Sequence, residues 1–179
     1  MSEPATAAGV HEFHRLAQTD PQQALATASR WIAENPSSAT AYFSRHQVWL
    51  RLGEPQRAIS DLNTSIELDP TPTDYRARGD IYRHIGEYKR AIEDYQRGES
   101  IAPDEWQADV LPMLYQADTY ARLGDERMAL AYCARLPNDI WTPGHNDLPS
   151  GSKTEIAAEL RRRAAAAMPT EGDAPPSGA

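Results

Sequence analysis

The sequence predicts an all-α chain in which helix–turn–helix units repeat about every 34 residues and stack into a solenoid. Prolines that can end a helix recur at Pro36, Pro70 and Pro103, and an alanine lies twelve residues before each of them. A Gly-x-x-x-x-Ala spacing also recurs, with an aromatic residue four positions before each glycine. The three sets are Trp49, Gly53 and Ala58; Tyr82, Gly86 and Ala91; and Tyr120, Gly124 and Ala129. Because these signals stay in phase over residues 24–129, they indicate a repeat array.

Capping chemistry places the helices in order. The predicted spans are 5–18, 21–34, 38–52, 55–68, 72–85, 88–101, 104–123, 126–135 and 153–167. Glycine after the first helix of a unit can adopt a positive φ, and proline after the second cannot continue a helix. Asp20 before Pro21 reads as an N-cap, Thr71 begins a similar motif, and Ser152 with Glu155 has capping-box spacing. The seventh span is long, and Pro112 predicts a kink or a new helix start within it.

The pattern resembles the tetratricopeptide repeat (TPR). The third unit matches best, through Tyr75, Gly79, Tyr82, Gly86, Tyr88, Ala91, Tyr95, Gly98 and Pro103. The second unit keeps Tyr42, Trp49, Gly53, Ala58, Leu62, Ser65 and Pro70, and the fourth keeps Ala117, Tyr120, Gly124 and Ala129. The first keeps only Ala24 and Pro36. The resemblance implies repeats over about 5–36, 37–70, 71–103 and 104–136, within an array at 1–136. His46 stands where the family prefers a small residue, which predicts a local shift in packing.

Three C-terminal segments follow the array. Residues 137–152 are a long loop rich in proline and glycine, residues 153–168 are predicted to form a capping helix, and residues 169–179 are predicted to be disordered. Two interpretations of the loop remain open. Either Trp141 and Leu148 pack on the last repeat and anchor the cap, or the loop reaches over the groove and contacts a ligand through Trp141 and His145.

Composition excludes several classes of function. The formal net charge is −8, so a basic field for nucleic acid is absent. No apolar run approaches the length of a membrane span, and we expect no secretory signal. The single cysteine, Cys133, cannot form an intramolecular disulfide, which favours a cytoplasmic location. The acidic residues concentrate in 103–150, as a solvated face or as a patch for a basic partner.

No catalytic, cofactor or metal motif emerges. His11 and His14 are three residues apart in a predicted helix, without the spacing of a zinc-protease helix or a further ligand nearby. Cys133 falls where a buried, inert thiol is expected. The segment from Gly151 to Thr154 has the end of a phosphate-loop motif, but Asn146 occupies the position of its first glycine. We therefore expect a protein that is not an enzyme and needs no cofactor.

The resemblance implies a ligand groove lined by the first helix of each unit. Its predicted residues are Phe43, Gln47, Arg51, Arg76, Asp80, Arg83, His84, Leu111, Leu114, Tyr115, Asp118 and Arg122, together with Thr40 and Thr73. Arg51, Arg83 and Arg122 come from successive units and would form a cationic ladder for an acidic or carboxylate ligand, or would only solvate the groove. The lysine–asparagine clamp of chaperone-binding members is missing, because Phe43, Gln47, Arg76 and Asp80 occupy its positions.

The leading hypothesis is a protein-interaction module that holds a peptide segment of a partner in this groove. The alternative is a small cytosolic chaperone for a secreted or membrane-inserting protein. That alternative depends on the apolar stripe of Leu111, Leu114 and Tyr115 together with the acidic 103–150 region. Self-association through the degenerate first repeat remains open.

Overall fold

The N-terminal helices follow the predicted order closely. In the computed structural model, which describes residues 7–144 and 147–168, they are α1 (Ala7–Thr19), α2 (Pro21–Glu34), α3 (Ala39–Arg51), α4 (Pro55–Leu68) and α5 (Pro72–His84). The predicted start of the first helix at residue 5 and the predicted disorder of 169–179 lie outside the described residues. The fold is an all-α solenoid of helix–turn–helix units, as the repeats predicted.

The C-terminal helices differ from prediction at one place. They are α6 (Tyr88–Ile101), α7 (Pro103–Ala108), α8 (Val110–Arg122), α9 (Glu126–Arg135) and α10 (Lys153–Ala167). The span predicted over 104–123 is two helices, which agrees with the predicted alternative of a new start near Pro112. The chain is extended at Asp109, and the Asp109 carboxylate accepts from the Leu111 amide at 3.0 Å. The restart places Pro112 in the first turn of α8, where a missing N–H costs no helical hydrogen bond.

A short antiparallel strand pair closes the long loop. Strand β1 (Trp141–Thr142) pairs with β2 (Gly151–Ser152), with Trp141 opposite Ser152. Sequence reasoning did not predict these strands, because two residues are too few to show an alternating pattern. The pairing fixes both ends of the loop next to the first residue of α10.

The predicted caps are confirmed. Asp20 accepts from the Gln23 amide at 3.0 Å, and Thr71 accepts from the Asp74 amide at 3.2 Å. Ser152 and Glu155 form the reciprocal capping box of α10. The turn glycines Gly53, Gly86 and Gly124 all have positive φ, as the predicted helix ends require. These local signals were readable because each depends on a few neighbouring residues.

The chain divides into two compact units, with the boundary inside α5. The N-terminal unit ends at Ile81 and the C-terminal unit begins at Tyr82. Small residues let the helices of the N-terminal unit approach closely, and Ala24, Ala28 and Ala58 are fully buried there. In the C-terminal unit one hydrophobic core joins residues of α6, α8, α9 and α10 with Leu148 of the loop. The long loop and the predicted cap therefore belong to the same core as the last repeat.

Among the described residues, none of the helices combines the length and the apolar character needed to cross a bilayer.

Candidate functional site

A cavity of about 170 Å³ opens in the N-terminal unit between the first turns of α3 and α5. It brings together three residues that the sequence predicted in the groove, Thr40, Phe43 and Thr73. Thr40 and Thr73 are exposed, whereas Phe43 is half-buried. The remaining walls come from the start of α3, the end of α4 and the segment that leads into α5: Ala39, Ser65, Asp69, Thr71 and Asp74.

Asp74 holds the wall of this cavity in place. Its carboxylate accepts a hydrogen bond from the Ser65 hydroxyl at 2.8 Å and another from the Thr71 hydroxyl. The Ser65 hydroxyl also lies 3.1 Å from the carbonyl oxygen of Ala39, so α4 joins the starts of α3 and α5. Sequence reasoning identified the cap that begins at Thr71 but missed the place of Asp74 in the cavity, because the contact between Asp74 and Ser65 depends on tertiary packing.

Predicted groove residues continue from the cavity along the same side of each helix. Phe43 and Gln47 are four residues apart on α3, and Arg76 and Asp80 are four apart on α5. All four are partly exposed, and Arg51, one turn beyond Gln47, is exposed. We call Thr40, Phe43, Gln47, Thr73, Arg76 and Asp80 the α3–α5 face. Side chains on it are accessible to a ligand.

The predicted groove residues of α8 are mostly inaccessible. Leu114, Tyr115 and Asp118 are buried, and so is Arg83 at the end of α5, whereas His84 and Leu111 are exposed. The predicted apolar stripe of Leu111, Leu114 and Tyr115 is therefore wrong as an open surface. Segments that are distant in sequence cover it, because Leu148 and residues of α10 join the same core.

The predicted cationic ladder is also absent. Asp118, with no exposed surface, accepts from Arg83 at 2.9 Å and from Arg122 at 2.8 Å through its Oδ2 atom. Its Oδ1 atom accepts from Arg163 of α10. Arg163 also donates to the Asp147 carbonyl oxygen at 2.6 Å, which ties the loop to α8. Arg83 and Arg122 thus converge on one buried carboxylate, and we call this arrangement with Arg163 the Asp118 cluster.

Only one half of the predicted loop anchor exists. Leu148 is buried in the C-terminal core, as expected, and the neighbouring Pro149 is also buried. Trp141 is 69% exposed, so its predicted packing on the last repeat is wrong. Pairing of β1 with β2 holds its backbone while its side chain points to solvent. The expectation for His145 lies outside the described residues.

A polar network that sequence reasoning missed connects α6 to α9 in the C-terminal unit. Trp106 donates to the Gln116 side chain at 2.9 Å, and Gln116 donates to Glu99 at 3.2 Å. Glu99 also accepts from Tyr132 at 3.3 Å and from Arg135 at 2.5 Å. Burial, helped by Glu99, raises the pKa of Tyr132 to about 12, so its hydroxyl remains a donor. The network satisfies buried polar groups and offers no reactive one.

The residues considered for catalysis lack the necessary surroundings. His11 and His14 are exposed, and the described residues contain no group of three or more His, Cys, Asp or Glu side chains that could hold a metal ion. Cys133 is buried, and its burial raises the pKa of the thiol. A thiol in that environment is a poor nucleophile.

Comparison with known proteins agrees with the fold. A family model of the tetratricopeptide repeat matches residues 75–105, the repeat with the clearest sequence pattern. The solved structure of MamA is 24% identical, with 70% of each chain covered and a TM-score of 0.60. That of YrrB, described as a TPR protein with an unusual peptide-binding site, is 18% identical, with 69% of this chain and 62% of that chain covered and a TM-score of 0.61.

A thermophilic TPR protein of Thermus thermophilus covers more of the sequence. It is 19% identical over 87% of this chain and 79% of that chain, with a TM-score of 0.55. Comparison with curated protein sequences gave no match. Residues 75–105 thus match the tetratricopeptide repeat, and the chain has the fold of solved TPR proteins. Because the structural identities are low, they establish the fold, and the ligand has to be argued from this chain's own residues.

Proposed function

We propose that this protein is a non-enzymatic interaction module that binds a peptide segment of a partner protein on the α3–α5 face. The cavity between α3 and α5 is the observation that carries the proposal, because it gives one side chain of a peptide a defined place. The neighbouring Gln47, Arg76 and Asp80 offer donors and acceptors beside it. The peptide-binding site of YrrB supports the choice of a peptide as the ligand class for this fold.

The size of the cavity supports a peptide over a small metabolite. Sites for drug-sized ligands usually measure about 300–1,000 Å³. A volume of about 170 Å³ suits one side chain, with the rest of the ligand lying on the surface of the helices. An extended segment that places one residue in the cavity and others along α3 and α5 fits both features.

The chaperone alternative loses its support from the structure. It depended on an apolar stripe along α8 together with the acidic 103–150 region, and Leu114 and Tyr115 of that stripe are buried. A client-binding surface there would require removal of the loop and α10. We therefore place peptide binding on the N-terminal unit alone.

Affinity selection with a substitution that blocks the cavity tests the proposal. Peptides are selected from a random display library on the full chain, and their affinities are measured by fluorescence anisotropy. Thr40→Trp puts a large side chain at the cavity mouth, and we expect it to weaken binding by about tenfold, or 1.4 kcal/mol. Thr154→Trp is a matched control, because Thr40 and Thr154 are both exposed and each is the second residue of its helix.

The two variants separate the outcomes. Loss of binding in Thr40→Trp with retention in Thr154→Trp supports the α3–α5 face as the site. Equal affinities for wild type and Thr40→Trp would place peptide binding elsewhere on the chain. Failure of the library to yield any peptide would contradict the proposed function itself.

A further inference from the structure

The described residues that line the cavity between α3 and α5 include two carboxylates and no basic side chain. Two of its lining residues, Asp69 and Asp74, are acidic, and the other six are Ala, Thr, Ser and Phe. Asp69 is exposed at the end of α4, and Asp74 is only 3% exposed. The cavity wall therefore combines an accessible carboxylate with a buried one.

The buried carboxylate has hydroxyl partners but no cation. It accepts hydrogen bonds from the hydroxyls of Ser65 and Thr71, and the Thr71 hydroxyl in turn accepts from the backbone amide of Asp74. Within residues 7–144 and 147–168, no Lys or Arg forms an ion pair with Asp74. His46 is the nearby titratable group, and it is neutral at pH 7 because burial lowers its pKa to about 4. Burying a carboxylate without a counter-charge is costly, so a cation from outside gains by pairing with it.

Phe43 gives the cavity a second preference for cations. Its ring lines the cavity and is half-buried, with the edge of His46 packed against it at 4.5 Å between ring centroids. A cation near the face of an aromatic ring is attracted by it, and more strongly when the cation is desolvated. An aromatic ring and two carboxylates around one small space favour an ammonium or guanidinium group and repel an anion.

We propose that this cavity is a cation pocket that takes a Lys or Arg side chain of the bound peptide. The proposal rests on the proposed function, because it assigns the chemistry of one residue of that peptide. The aliphatic stem of the side chain would lie along Phe43, and its charged end would pair with Asp69 at the rim and Asp74 inside. A volume of about 170 Å³ is several times the roughly 30 Å³ share of one water molecule, so a side chain fits.

Small probes test the pocket without a known partner. The full chain is labelled with ¹⁵N and titrated at pH 7 with n-butylammonium, 1-butanol or butyrate, which share a four-carbon chain and differ in charge. Amide shifts of Thr40, Phe43 and Thr73 report occupancy of the cavity. We expect n-butylammonium to bind at least about fivefold more tightly than 1-butanol, given the gains of cation–π and ionic contacts. Butyrate should leave these amides unchanged.

Variants that replace one carboxylate with a neutral amide show which carboxylates contribute to binding of the cation. Asp69→Asn, at an exposed position where unfolding is not expected, should weaken n-butylammonium binding by about threefold. The single substitution Asp74→Asn should weaken n-butylammonium binding more than Asp69→Asn does. Thermal melting shows whether the Asp74→Asn variant remains folded. Glu34→Gln removes an exposed charge from the end of α2 in the same unit and should change binding by less than about 1.5-fold.

The outcomes distinguish this inference from the proposed function. Equal binding of n-butylammonium and 1-butanol, or no saturable binding of either, would overturn the cation pocket. The cation pocket would also be overturned if Asp69→Asn and Asp74→Asn both bound n-butylammonium as tightly as wild type. If library peptides bind at the cavity without needing a Lys or Arg for their affinity, the result supports the proposed function and refutes the cation pocket. If n-butylammonium binds saturably but the library yields no binding peptide, the result supports the cation pocket and contradicts peptide binding.

Discussion

Acidification from pH 7.5 to pH 5.5 should destabilise the protein through one side chain, His46 of α3. His46 is 4% exposed and packs against Phe43. Burial lowers its pKa from 6.5 to about 4, and it outweighs the opposing effects of Asp74 and Asp61. Between these two pKa values the unfolded chain therefore binds a proton at His46, whereas the folded chain does not. Stability is complete above pH 6.5 and decreases as the pH falls from 6.5 towards 4.

The size of the effect follows from the two pKa values. With about 4 for the folded state and 6.5 for the unfolded state, proton linkage gives a loss of about 1.3 kcal/mol between pH 7.5 and pH 5.5. Below pH 4 the total would approach about 3.4 kcal/mol. Carboxylates contribute little above pH 5.5, because ordinary Asp and Glu side chains titrate near pH 4.

Urea unfolding followed by far-UV circular dichroism measures the free energy of unfolding at both pH values. Wild type is compared with His46→Leu, which removes the titrating group but keeps a side chain in its place. His84→Gln is the control, because it removes a histidine that is exposed in the folded chain. We expect the pH-dependent loss to be about 1.3 kcal/mol smaller in His46→Leu than in the other two proteins. The same loss in wild type and His46→Leu would refute the assignment.

Three further predictions concern the C-terminal unit. Asp118→Ala should lower stability by about 3–5 kcal/mol in urea unfolding, because it leaves Arg83 buried without its carboxylate; a loss under 1 kcal/mol would show that the Asp118 cluster contributes little. Ser152→Ala should cost about 1 kcal/mol, since it removes the capping box of α10, and an unchanged denaturation midpoint would contradict that role. Cys133 should react with a thiol reagent at least about tenfold more slowly in the native chain than in guanidinium, because it is buried and its pKa is raised; equal rates would show that the thiol is accessible.

Local features of the fold could be read directly from the sequence. The Asp20 and Ser152 caps, the turn glycines and the spans of α2 and α4 depend on residues within a few positions of one another. The split between α7 and α8 was only partly visible, since Pro112 indicated a break without showing that it falls at Asp109. Asp109 is an N-cap, and the surrounding packing determines its extended conformation.

The accessible part of the groove was much harder to predict. Phe43 and Gln47 remain available on α3, whereas Leu114 and Asp118 at the corresponding places on α8 are buried. The difference comes from the long loop and α10, which fold back on α8 and bring Leu148 and Arg163 to it. Periodicity shows which side of a helix a residue occupies, but it does not show whether a distant segment covers that side.

The sequence by itself determined the repeat period, the helix order, the caps and the all-α class, because each of these is set by contacts between near neighbours in the chain. Only the tertiary structure decided that Asp118 gathers three arginines and that Asp74 lies in the wall of a cavity whose described lining contains no Lys or Arg. Such arrangements depend on residues up to 45 positions apart. Burial and charge balance at those points are properties of the packed chain, and no local pattern encodes them.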